Sequence, residues 1–529
     1  MSLKSASAAY ATIPRAVRQS MAPLGRRSVS TLCAHALAGT STKLGRLAAS
    51  QALSVNGYMH PRTTRAYATV VPTSASSNDS PVASKKKKTL VILGTGWGAT
   101  TILKSLDTTH FDVVVVSPRN YFLFTPLLPS CTVGSTESRS IMEPIRHIVG
   151  RRGKDIRFYE AQCTDIDIHK KELVLERSES EGSNGSLVEG VPSTTRINYD
   201  YLVVGVGGTY NTFGTPGVQE NALFLKEMGD ASKIRRRLKD TIEKASFSSI
   251  TDKECDRLLH MVVVGGGPTG VEFAGELHDL IAEDLIKWVP HLAKKVKITL
   301  IEALPNVLPS FDKKLVDYTQ AMFKKNGIDL MTGTTVKSVG KESLVVRDTS
   351  SGVETEIPYG TIVWAAGIRA REFAHTLRAK VPDVQNNGRG LIIDDYLRVK
   401  GANDIWALGD CTVSKNAPLA QVASQQGKWL SKALNTLAKE NQLPDAYAEI
   451  ERSSKPFVYS SNGSLAYIGG EKAIAEVPFF KKTITAGGPF ASLFWKSYCL
   501  WELSSVRSSL SVATDWAKRA IFGRTISVD

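Results

Sequence analysis

Short apolar runs alternate with stretches of helical periodicity along most of the chain, and two of the runs end in glycine-rich turns. These two runs are Thr89–Leu93 and Met261–Val264, each followed by glycines and then by a helix-like segment. Phe111–Val116 and Val296–Ile301 have the length and β-branched composition of buried strands. The alternation of strand and helix in both regions predicts an α/β fold with parallel sheets.

Both turns have the spacing of a dinucleotide-binding fingerprint. They read Gly94-Thr-Gly96-Trp97-Gly98-Ala99 and Gly265-Gly-Gly267-Pro268-Thr269-Gly270, and their first glycines are 171 positions apart. A strand that enters a helix through a tight turn directs the free N–H groups of the helix N-terminus at the turn, where they bind a pyrophosphate. Glycine is needed because a Cβ would block the approach of the ligand. The chain is therefore expected to hold two dinucleotides.

The residue that ends the next strand differs between the two regions. After the second turn, a helix from Val271 to about Val289 is expected to lead to Val296–Ile301, and Glu302 follows that strand. A carboxylate there accepts hydrogen bonds from ribose hydroxyls and repels an extra phosphate, which favours NADH over NADPH. After the first turn the strand ends in Ser117-Pro118-Arg119, with no acid, and the alternative on the residues alone is that Arg119 is an ordinary loop cation.

Three further short runs support the same organisation. Tyr199–Gly208 and Thr361–Gly367 are β-runs that end in small residues, as where a chain crosses between domains beside a cofactor. The third ends in Gly409-Asp410, where an acid can bind the ribityl hydroxyls of a flavin. Each run alone is compatible with simple core packing, whereas their order and spacing favour a two-domain flavoprotein.

Charge and cysteine usage exclude several classes of protein. Of the net charge of +15, nine cations lie in residues 1–78, which contain no acid, and four more lie at Lys85–Lys88, leaving about +3 from Thr89 onward. The body is therefore not expected to bind nucleic acid, and residues 1–67 are predicted to be a mitochondrial transit peptide. The alternative is a disordered basic tail. The six cysteines form no C-x-x-C or C-x4-C pair, so neither a redox dithiol nor a metal site is expected.

The C-terminal region predicts a pair of amphipathic helices. An aromatic-rich stretch from Pro489 to Trp501 precedes apolar residues at helical spacing, namely Val506, Leu510, Ala513, Ala517 and Ile521. No stretch of 18 uninterrupted apolar residues occurs, so no transmembrane helix is expected. The pattern favours helices that lie in a membrane interface, and the alternative is packing on the protein's own body or on a second copy.

Taken together, these residues resemble a type II (alternative) NADH:ubiquinone oxidoreductase of the fungal mitochondrial kind. The resemblance covers roughly Leu90 to Phe522, and its most specific pieces are Ser117–Pro129, Gly265–Glu272, Glu302-Ala-Leu-Pro and Ala420–Gln425. It implies two Rossmann-like domains, as in flavin disulfide reductases, with the NADH domain (221–357) inserted into the FAD domain (89–220 and 358–450). A disordered leader (68–88) and a membrane-anchoring domain (451–529) flank this body.

The resemblance also assigns residues. Non-covalent FAD is expected at Gly94, Gly96, Trp97, Gly98, Ala99, Ser117, Pro118, Arg119, Thr125, Gly409 and Asp410. NADH is expected at Gly265, Gly267, Pro268, Thr269, Gly270 and Glu302, with Gly367 near the nicotinamide. Glu272 is expected at the contact of nicotinamide and flavin, although an acid there also suits a helix N-terminus. Gln421 and Gln425, one helical turn apart, are expected beside the quinone head group, with a solvated helix face as the alternative.

The implied reaction is hydride transfer from NADH to flavin N5, followed by two-electron reduction of ubiquinone without proton pumping. The expected location is the surface of the mitochondrial inner membrane, on the matrix side, and a homodimer is expected. One alternative is a sulfide:quinone oxidoreductase, which would need cysteines beside the flavin. The other is a non-catalytic, apoptosis-type flavoprotein that senses NADH.

Overall fold

The computed structural model describes residues 87–150, 156–177, 193–440, 442–479 and 482–527. The predicted transit peptide and nearly all of the predicted leader lie outside the described residues. The strands are β1 Lys88–Leu93, β2 Phe111–Ser117, β3 Tyr121–Leu123, β4 Met142–Pro144, β5 Arg157–Asp167, β6 Glu172–Arg177, β7 Thr194–Asn198, β8 Tyr201–Val204, β9 Gly208–Tyr210, β10 Leu223–Phe224, β11 His260–Val264, β12 Lys297–Ile301, β13 Ile328–Met331, β14 Thr334–Val339, β15 Ser343–Asp348, β16 Glu354–Pro358, β17 Thr361–Trp364, β18 Ile368–Ala370, β19 Leu391–Ile392, β20 Ile405–Ala407, β21 Thr412–Val413, β22 Ser464–Gly469, β23 Lys472–Phe479 and β24 Lys482–Gly488.

The helices connect these strands on both sheet faces. They are α1 Trp97–Ser105, α2 Leu128–Thr132, α3 Ile145–Gly150, α4 Val218–Asn221, α5 Met228–Ala245, α6 Asp252–Leu258, α7 Pro268–Asp279, α8 Ile286–Trp288, α9 Pro290–Ala293, α10 Lys313–Lys325, α11 Glu372–Ala379, α12 Ala420–Lys439, α13 Ala446–Ser453, α14 Pro489–Glu502 and α15 Val506–Phe522. The helix predicted from Val271 to about Val289 exists, but it changes to a π-helix over Leu280–Leu285 before α8.

The first glycine-rich turn belongs to a seven-stranded sheet with the order β20-β8-β1-β2-β5-β6-β7. Its first five strands are parallel, and β6 and β7 add an antiparallel edge. Strand β1 is the central one of the five parallel strands and its residues Leu90–Leu93 are buried, as expected for a strand covered by helices on both faces. Strand β20 pairs with β8 at one edge of this sheet, although it follows β8 by some 200 residues in the chain.

The second turn belongs to a separate five-stranded parallel sheet with the order β10-β17-β11-β12-β13. All five strands come between Leu223 and Trp364, so this sheet is inserted into the sequence of the first. Strand β17 pairs with β11, although the predicted boundary at 357/358 assigned it to the FAD domain. The apolar composition of β17 does not indicate which of the two sheets the strand joins. Its hydrogen bonds with β11 assign it to the second sheet. The α/β class with two Rossmann-like sheets is otherwise as predicted.

The two chain crossings between these sheets lie side by side. Strand β9 leaves the first sheet and β18 returns from the second, and the two form an antiparallel ribbon in which Ile368 pairs with Tyr210 and Ala370 pairs with Gly208. Both strands follow the predicted small-residue runs. The Gly208 position must be small because a Cβ there would lie 2.6 Å from Cγ2 of Ile368 and 3.2 Å from Cβ of Asp410.

Strands β22, β23 and β24 form an antiparallel sheet, and the two predicted helices, α14 and α15, follow it. Trp495 is 5% exposed and its ring lies 5.4 Å from that of Tyr467, so this tryptophan faces the protein rather than the solvent. In the described part of the chain, no helix combines the length and the apolar character that crossing a bilayer requires.

The segment after α15 is held inside the protein by a buried arginine. Arg524 is fully buried and its guanidinium forms ion pairs with Asp284 and Glu283, both at 2.7 Å. The same guanidinium donates from Nε to Ser135 Oγ at 2.9 Å. Because the two acids lie just after α7 and Ser135 follows α2, this cation connects the end of the chain to both sheet-bearing parts of the molecule.

Candidate functional site

The backbone of the first turn has the shape that the fingerprint predicts. Gly94 has φ +101°, and a Cβ on it would lie 2.9 Å from the carbonyl carbon of Gly205. A Cβ on Gly98 would lie 3.0 Å from the carbonyl oxygen of Ala423. These two glycines are therefore required by close backbone contacts in the protein itself.

Gly96 has different surroundings from these two glycines. A Cβ there would meet no heavy atom within 4 Å, so the protein leaves open space in front of the N-terminus of α1. Among the described residues, no side chain caps this helix at Gly96, and the same is true at Gly267 of α7, where a Cβ would also be free. Two uncapped helix N-termini, each facing open space behind a glycine, fit the pyrophosphates of two dinucleotides.

The loop after β2 places Ser117 and Arg119 beside the first turn. Thr95 Oγ1 lies 3.0 Å from Ser117 Oγ, which also accepts the N–H of Arg119 at 3.1 Å. The Arg119 side chain forms an ion pair with Glu227 (Nη1–Oε2 2.5 Å). Sequence reasoning missed both Thr95, which is buried in the turn, and Glu227, whose partnership with Arg119 joins residues 108 positions apart. Trp97 Nε1 donates to Thr125 Oγ1 at 3.1 Å, so these two predicted FAD residues touch each other.

The turn after β20 brings the predicted Gly409-Asp410 pair to the same place. Gly409 has φ +75°, and its N–H donates to Oε1 of the buried Gln426 at 2.8 Å. Asp410 forms an ion pair with Lys226 (Nζ–Oδ2 3.2 Å). Lys226 and Glu227 are adjacent, so one turn before α5 supplies an opposite charge to Asp410 and to Arg119. Gln426 was also missed, because the pattern singled out only its neighbours on α12.

Helix α12, which bears the predicted glutamine pair, packs closely on α1. A Cβ on Gly427 would lie 3.1 Å from the carbonyl carbon of Gly98, so only glycine allows the approach. Gln421 and Gln425 point to the same side, as their spacing predicts. Gln421 donates to Gly463 O (2.8 Å) and Gln425 donates to Ser460 O (2.7 Å). Both amides therefore hold the loop that precedes β22, and Tyr459 donates from its hydroxyl to Gln421 Oε1 at 3.2 Å.

The second turn repeats the geometry with a carboxylate in place of the hydroxyl. Gly265 has φ +113°, and a Cβ on Gly270 would lie 3.1 Å from the carbonyl carbon of Gly265. Glu302 follows β12 and accepts the N–H groups of Gly266 (2.5 Å) and Leu304 (2.7 Å). A carboxylate has about four lone-pair sites, so Glu302 can accept further hydrogen bonds from a ribose. Pro268 opens α7 at its first turn, and Thr269 follows it beside the same open space.

Glu272 lies on the buried face of α7. Its Oε1 accepts the N–H of Tyr467 at 3.3 Å. Burial raises the pKa of Glu272 to about 8, with the nearby Glu276 adding to the rise and the bond from Tyr467 opposing it. The carboxyl is therefore protonated at neutral pH, and it can donate a proton as well as accept a hydrogen bond.

The five cysteines among the described residues are buried and unpaired: Cys131, Cys163, Cys255, Cys411 and Cys499. Burial raises the pKa of Cys163 and of Cys411 to about 12, and it raises the pKa of Cys131 and of Cys499 as well. Protonated, buried thiols are poor nucleophiles, so the structure provides no support for sulfur chemistry at this site.

Comparison with known proteins agrees with this geometry. The family model for pyridine nucleotide-disulphide oxidoreductases matches residues 88–427, and the NDH2 C-terminal domain model matches residues 462–525. The chain is 46% identical over 486 residues to the "External alternative NADH-ubiquinone oxidoreductase, mitochondrial" of Yarrowia lipolytica, covering 85% of this chain and 82% of the relative. It is 45% identical to the "External NADH-ubiquinone oxidoreductase 2, mitochondrial" of Saccharomyces cerevisiae, covering 84% and 83%. The chain belongs to the alternative NADH-ubiquinone oxidoreductase family.

Solved structures share the fold of this chain. The structure of NDH2 from Plasmodium falciparum in complex with NADH is 28% identical, with a TM-score of 0.76, and covers 84% of this chain and 100% of that one. A sulfide:quinone oxidoreductase from Aquifex aeolicus, 18% identical with a TM-score of 0.59 over 83% and 96%, shares the fold alone. Membership confirms the predictions of an FAD-dependent oxidoreductase and of NADH as its substrate.

Proposed function

We propose that this protein transfers electrons from NADH through FAD to ubiquinone at the surface of the mitochondrial inner membrane. The observation that carries the proposal is the packing of α12, the helix that bears Gln421 and Gln425, on the first glycine-rich turn through the contact of Gly427 with Gly98. These side chains donate and accept hydrogen bonds without ionising, which suits a quinone head group.

The residues of the first turn bind and orient the flavin cofactor. We assign the pyrophosphate to the N-terminus of α1 at Gly96 and the ribityl chain to Asp410, whose charge Lys226 balances. Ser117 and Arg119 flank the adenosine end, with Arg119 held in place by Glu227. When bound, FAD supplies the chemistry that the side chains lack, which is hydride acceptance from NADH and two-electron delivery to the quinone.

The residues of the second turn bind the substrate. Gly267 and the α7 N-terminus receive the pyrophosphate of NADH, and Glu302 receives the ribose hydroxyls. Glu272 is buried on α7 and its pKa is raised to about 8, so we assign it the role of holding a proton for the reduced quinone at its carboxyl. These side chains bind, orient and hold protons, and none is required as a nucleophile.

An exposed apolar face on α14 and α15 supports membrane attachment. Phe490 is 80% exposed and Phe522 is 82% exposed, and the same face carries further exposed apolar side chains, namely Leu493, Phe494, Trp501, Val506, Leu510 and Ile521. Exposure of so many large apolar groups in two adjacent helices is typical of a surface that inserts into a membrane interface. We propose that this face enters the membrane interface.

The direct test is turnover by the purified, FAD-loaded protein. NADH with a ubiquinone analogue is expected to give rapid turnover and bleaching of the yellow chromophore, whereas sulfide with the same quinone is expected to give none. Turnover with sulfide would assign the protein to the rival quinone reductases. Bleaching by NADH without quinone turnover in lipid vesicles would support the non-catalytic flavoprotein instead.

Two finer predictions need their own measurements. The relatives from both yeasts carry the word "External" in their names, which favours the outer face of the inner membrane over the matrix side expected from the sequence. NADH oxidation by intact mitochondria, compared with inverted inner-membrane vesicles, decides between the two faces. The homodimer stays a prediction, and light scattering of the detergent-solubilised protein measures it.

A further inference from the structure

An exposed aromatic ring lies beside the predicted nicotinamide position without any role in the folding of the core. Phe213 is 65% exposed, although a large apolar side chain in solvent contributes little to stability. It follows β9, which is one strand of the ribbon between the two sheets. Its exposure is therefore a feature that the packing of the protein does not explain.

The backbone at Phe213 is also strained. Its φ is +54°, in the left-handed region that residues with a Cβ rarely adopt. The strain is maintained by a local network, since Asn211 Oδ1 accepts the N–H of Phe213 at 2.9 Å and Trp364 Nε1 donates to Asn211 O at 3.0 Å. Non-glycine residues kept in this conformation by their surroundings are concentrated at functional sites.

The strained conformation places the ring over Gly367. A Cβ on Gly367 would lie 2.6 Å from Cε2 of Phe213, so the ring rests directly on this glycine. The N–H of Asn211 donates to Gly367 O at 3.3 Å and holds the two turns together.

A second set of contacts connects Gly367 to the NADH turn. A Cβ on Gly265 would lie 2.9 Å from the carbonyl carbon of Ala365, two residues before Gly367. The run from Ala365 to Gly367 therefore starts at the first glycine of the NADH fingerprint and ends under the Phe213 ring. These contacts place the Phe213 ring on the same segment of chain that packs against the proposed pyrophosphate site at the N-terminus of α7.

We propose that the ring of Phe213 is a binding surface for the dihydronicotinamide of NADH and closes the outer side of its pocket. The inference rests on the proposed function, because it takes the second turn as the NADH site. A flat aromatic face matches a flat nicotinamide, and the missing Cβ at Gly367 provides the space that the ring occupies beside the NADH turn. The strained backbone keeps the ring at the pocket entrance, where solvent would otherwise reach the reacting carbon.

The test measures NAD⁺ and NADH binding to the FAD-loaded protein, which does not depend on quinone turnover. Phe213→Ala is expected to weaken binding about five- to tenfold, as for loss of one aromatic contact. Phe213→Tyr is expected to restore wild-type binding. Phe247→Ala is the matched control, because Phe247 is also 65% exposed but lies after α5, and it is expected to change nothing.

Phe213→Gly separates a binding role from a structural one. Glycine adopts φ +54° without strain, so this variant is expected to melt at or above the wild-type temperature while still losing NADH affinity. Rapid-mixing experiments should show slower flavin reduction at low NADH and an unchanged rate of reoxidation by quinone. Wild-type affinity in both Phe213→Ala and Phe213→Gly would overturn the proposal. It would leave the proposed function intact, which falls only if the wild-type protein itself fails to reduce quinone with NADH.

Discussion

The two glycine-rich turns share a backbone but differ in what surrounds them. Gly94 and Gly265 have the same left-handed conformation, and each donates its N–H to the carbonyl oxygen that ends the neighbouring strand, Val116 O at 2.7 Å and Ile301 O at 2.8 Å. Beside the first turn, however, the strand ends in a serine that bonds Thr95, whereas the second has Glu302 bonded to the backbone of its own turn. In the proposed assignment, the shared glycine backbone of each turn binds a pyrophosphate. The residue at the end of the neighbouring strand, Ser117 or Glu302, then determines which adenosine ribose fits.

The helices after the turns differ at the matching position as well. Seven residues after the first glycine, α1 has Thr101, whose hydroxyl donates to Trp97 O at 2.8 Å, while α7 has the buried Glu272. The hydroxyl of Thr101 forms its hydrogen bond within its own helix, whereas the carboxyl of Glu272 accepts its hydrogen bond from Tyr467, outside α7. We interpret this difference by the proposed ligands. The FAD turn binds a cofactor that stays in place, whereas the turn for the NADH substrate is followed by a carboxyl group that can exchange a proton.

The largest expected effect comes from removing the left-handed glycine of the first turn. Gly94→Ala is expected to abolish FAD binding and to destabilise the protein by about 3 kcal/mol, because alanine is strained at φ +101° and its Cβ meets Gly205. Flavin absorbance after purification and the melting temperature measure both effects.

Gly96→Ala is the matched variant, because its Cβ would meet no protein atom. It is expected to change the stability of the flavin-free protein by less than about 0.5 kcal/mol, yet to lower its FAD affinity. Full flavin retention in Gly96→Ala would show that the pyrophosphate does not lie in front of α1.

An intermediate effect is expected from neutralising the carboxylate of the second turn. Glu302→Gln should weaken NADH binding about 10- to 100-fold, as for loss of hydrogen bonds to a charged group, and narrow the preference for NADH over NADPH. Its flavin content should stay normal, because the change lies in the other sheet. Glu372→Gln, at an exposed position of α11, is the control. Equal loss of both nucleotides would mean that Glu302 only supports the turn.

Per pH unit, the smallest effect is the pH dependence of stability that arises from Glu272. Since its pKa in the folded protein is about 8, against about 4.5 for an ordinary Glu, its protonated form stabilises the fold fully at acidic pH. This stabilisation is lost as pH rises from about 4.5 to about 8, at up to about 1.4 kcal/mol per pH unit. The melting temperature of the wild type should therefore fall relative to Glu272→Gln over this interval. A constant difference between the two proteins would contradict the raised pKa.

Periodicity and glycine spacing predicted the elements that matter most, since β1, β2, β11 and β12 begin and end within a residue or two of the expected positions. Local patterns predict well where one segment determines its own conformation. They do not contain pairings between distant segments, which is why Glu227 beside Arg119 and Gln426 beside Gly409 were missed. The π-helix at Leu280–Leu285 was missed because its residues have ordinary helical periodicity.

The C-terminal helices show a second limit of the same kind. The apolar residues Val506, Leu510 and Ile521 were placed correctly on one face, and that face is exposed. Trp495, in an equally aromatic stretch, is turned into the protein against Tyr467. Composition identifies an aromatic-rich amphipathic segment. Which of its aromatic side chains are exposed depends on packing partners, such as Tyr467 for Trp495.

The burial of Arg524 makes the segment after α15 a structural part of the folded body. A variant without this cation would leave the buried carboxylate of Asp284 without its ion pair, a loss of about 3–5 kcal/mol, whereas Glu283 would keep its ion pair with Arg519 at 3.0 Å. The stability of both sheet-bearing parts therefore depends on a side chain that belongs to neither sheet.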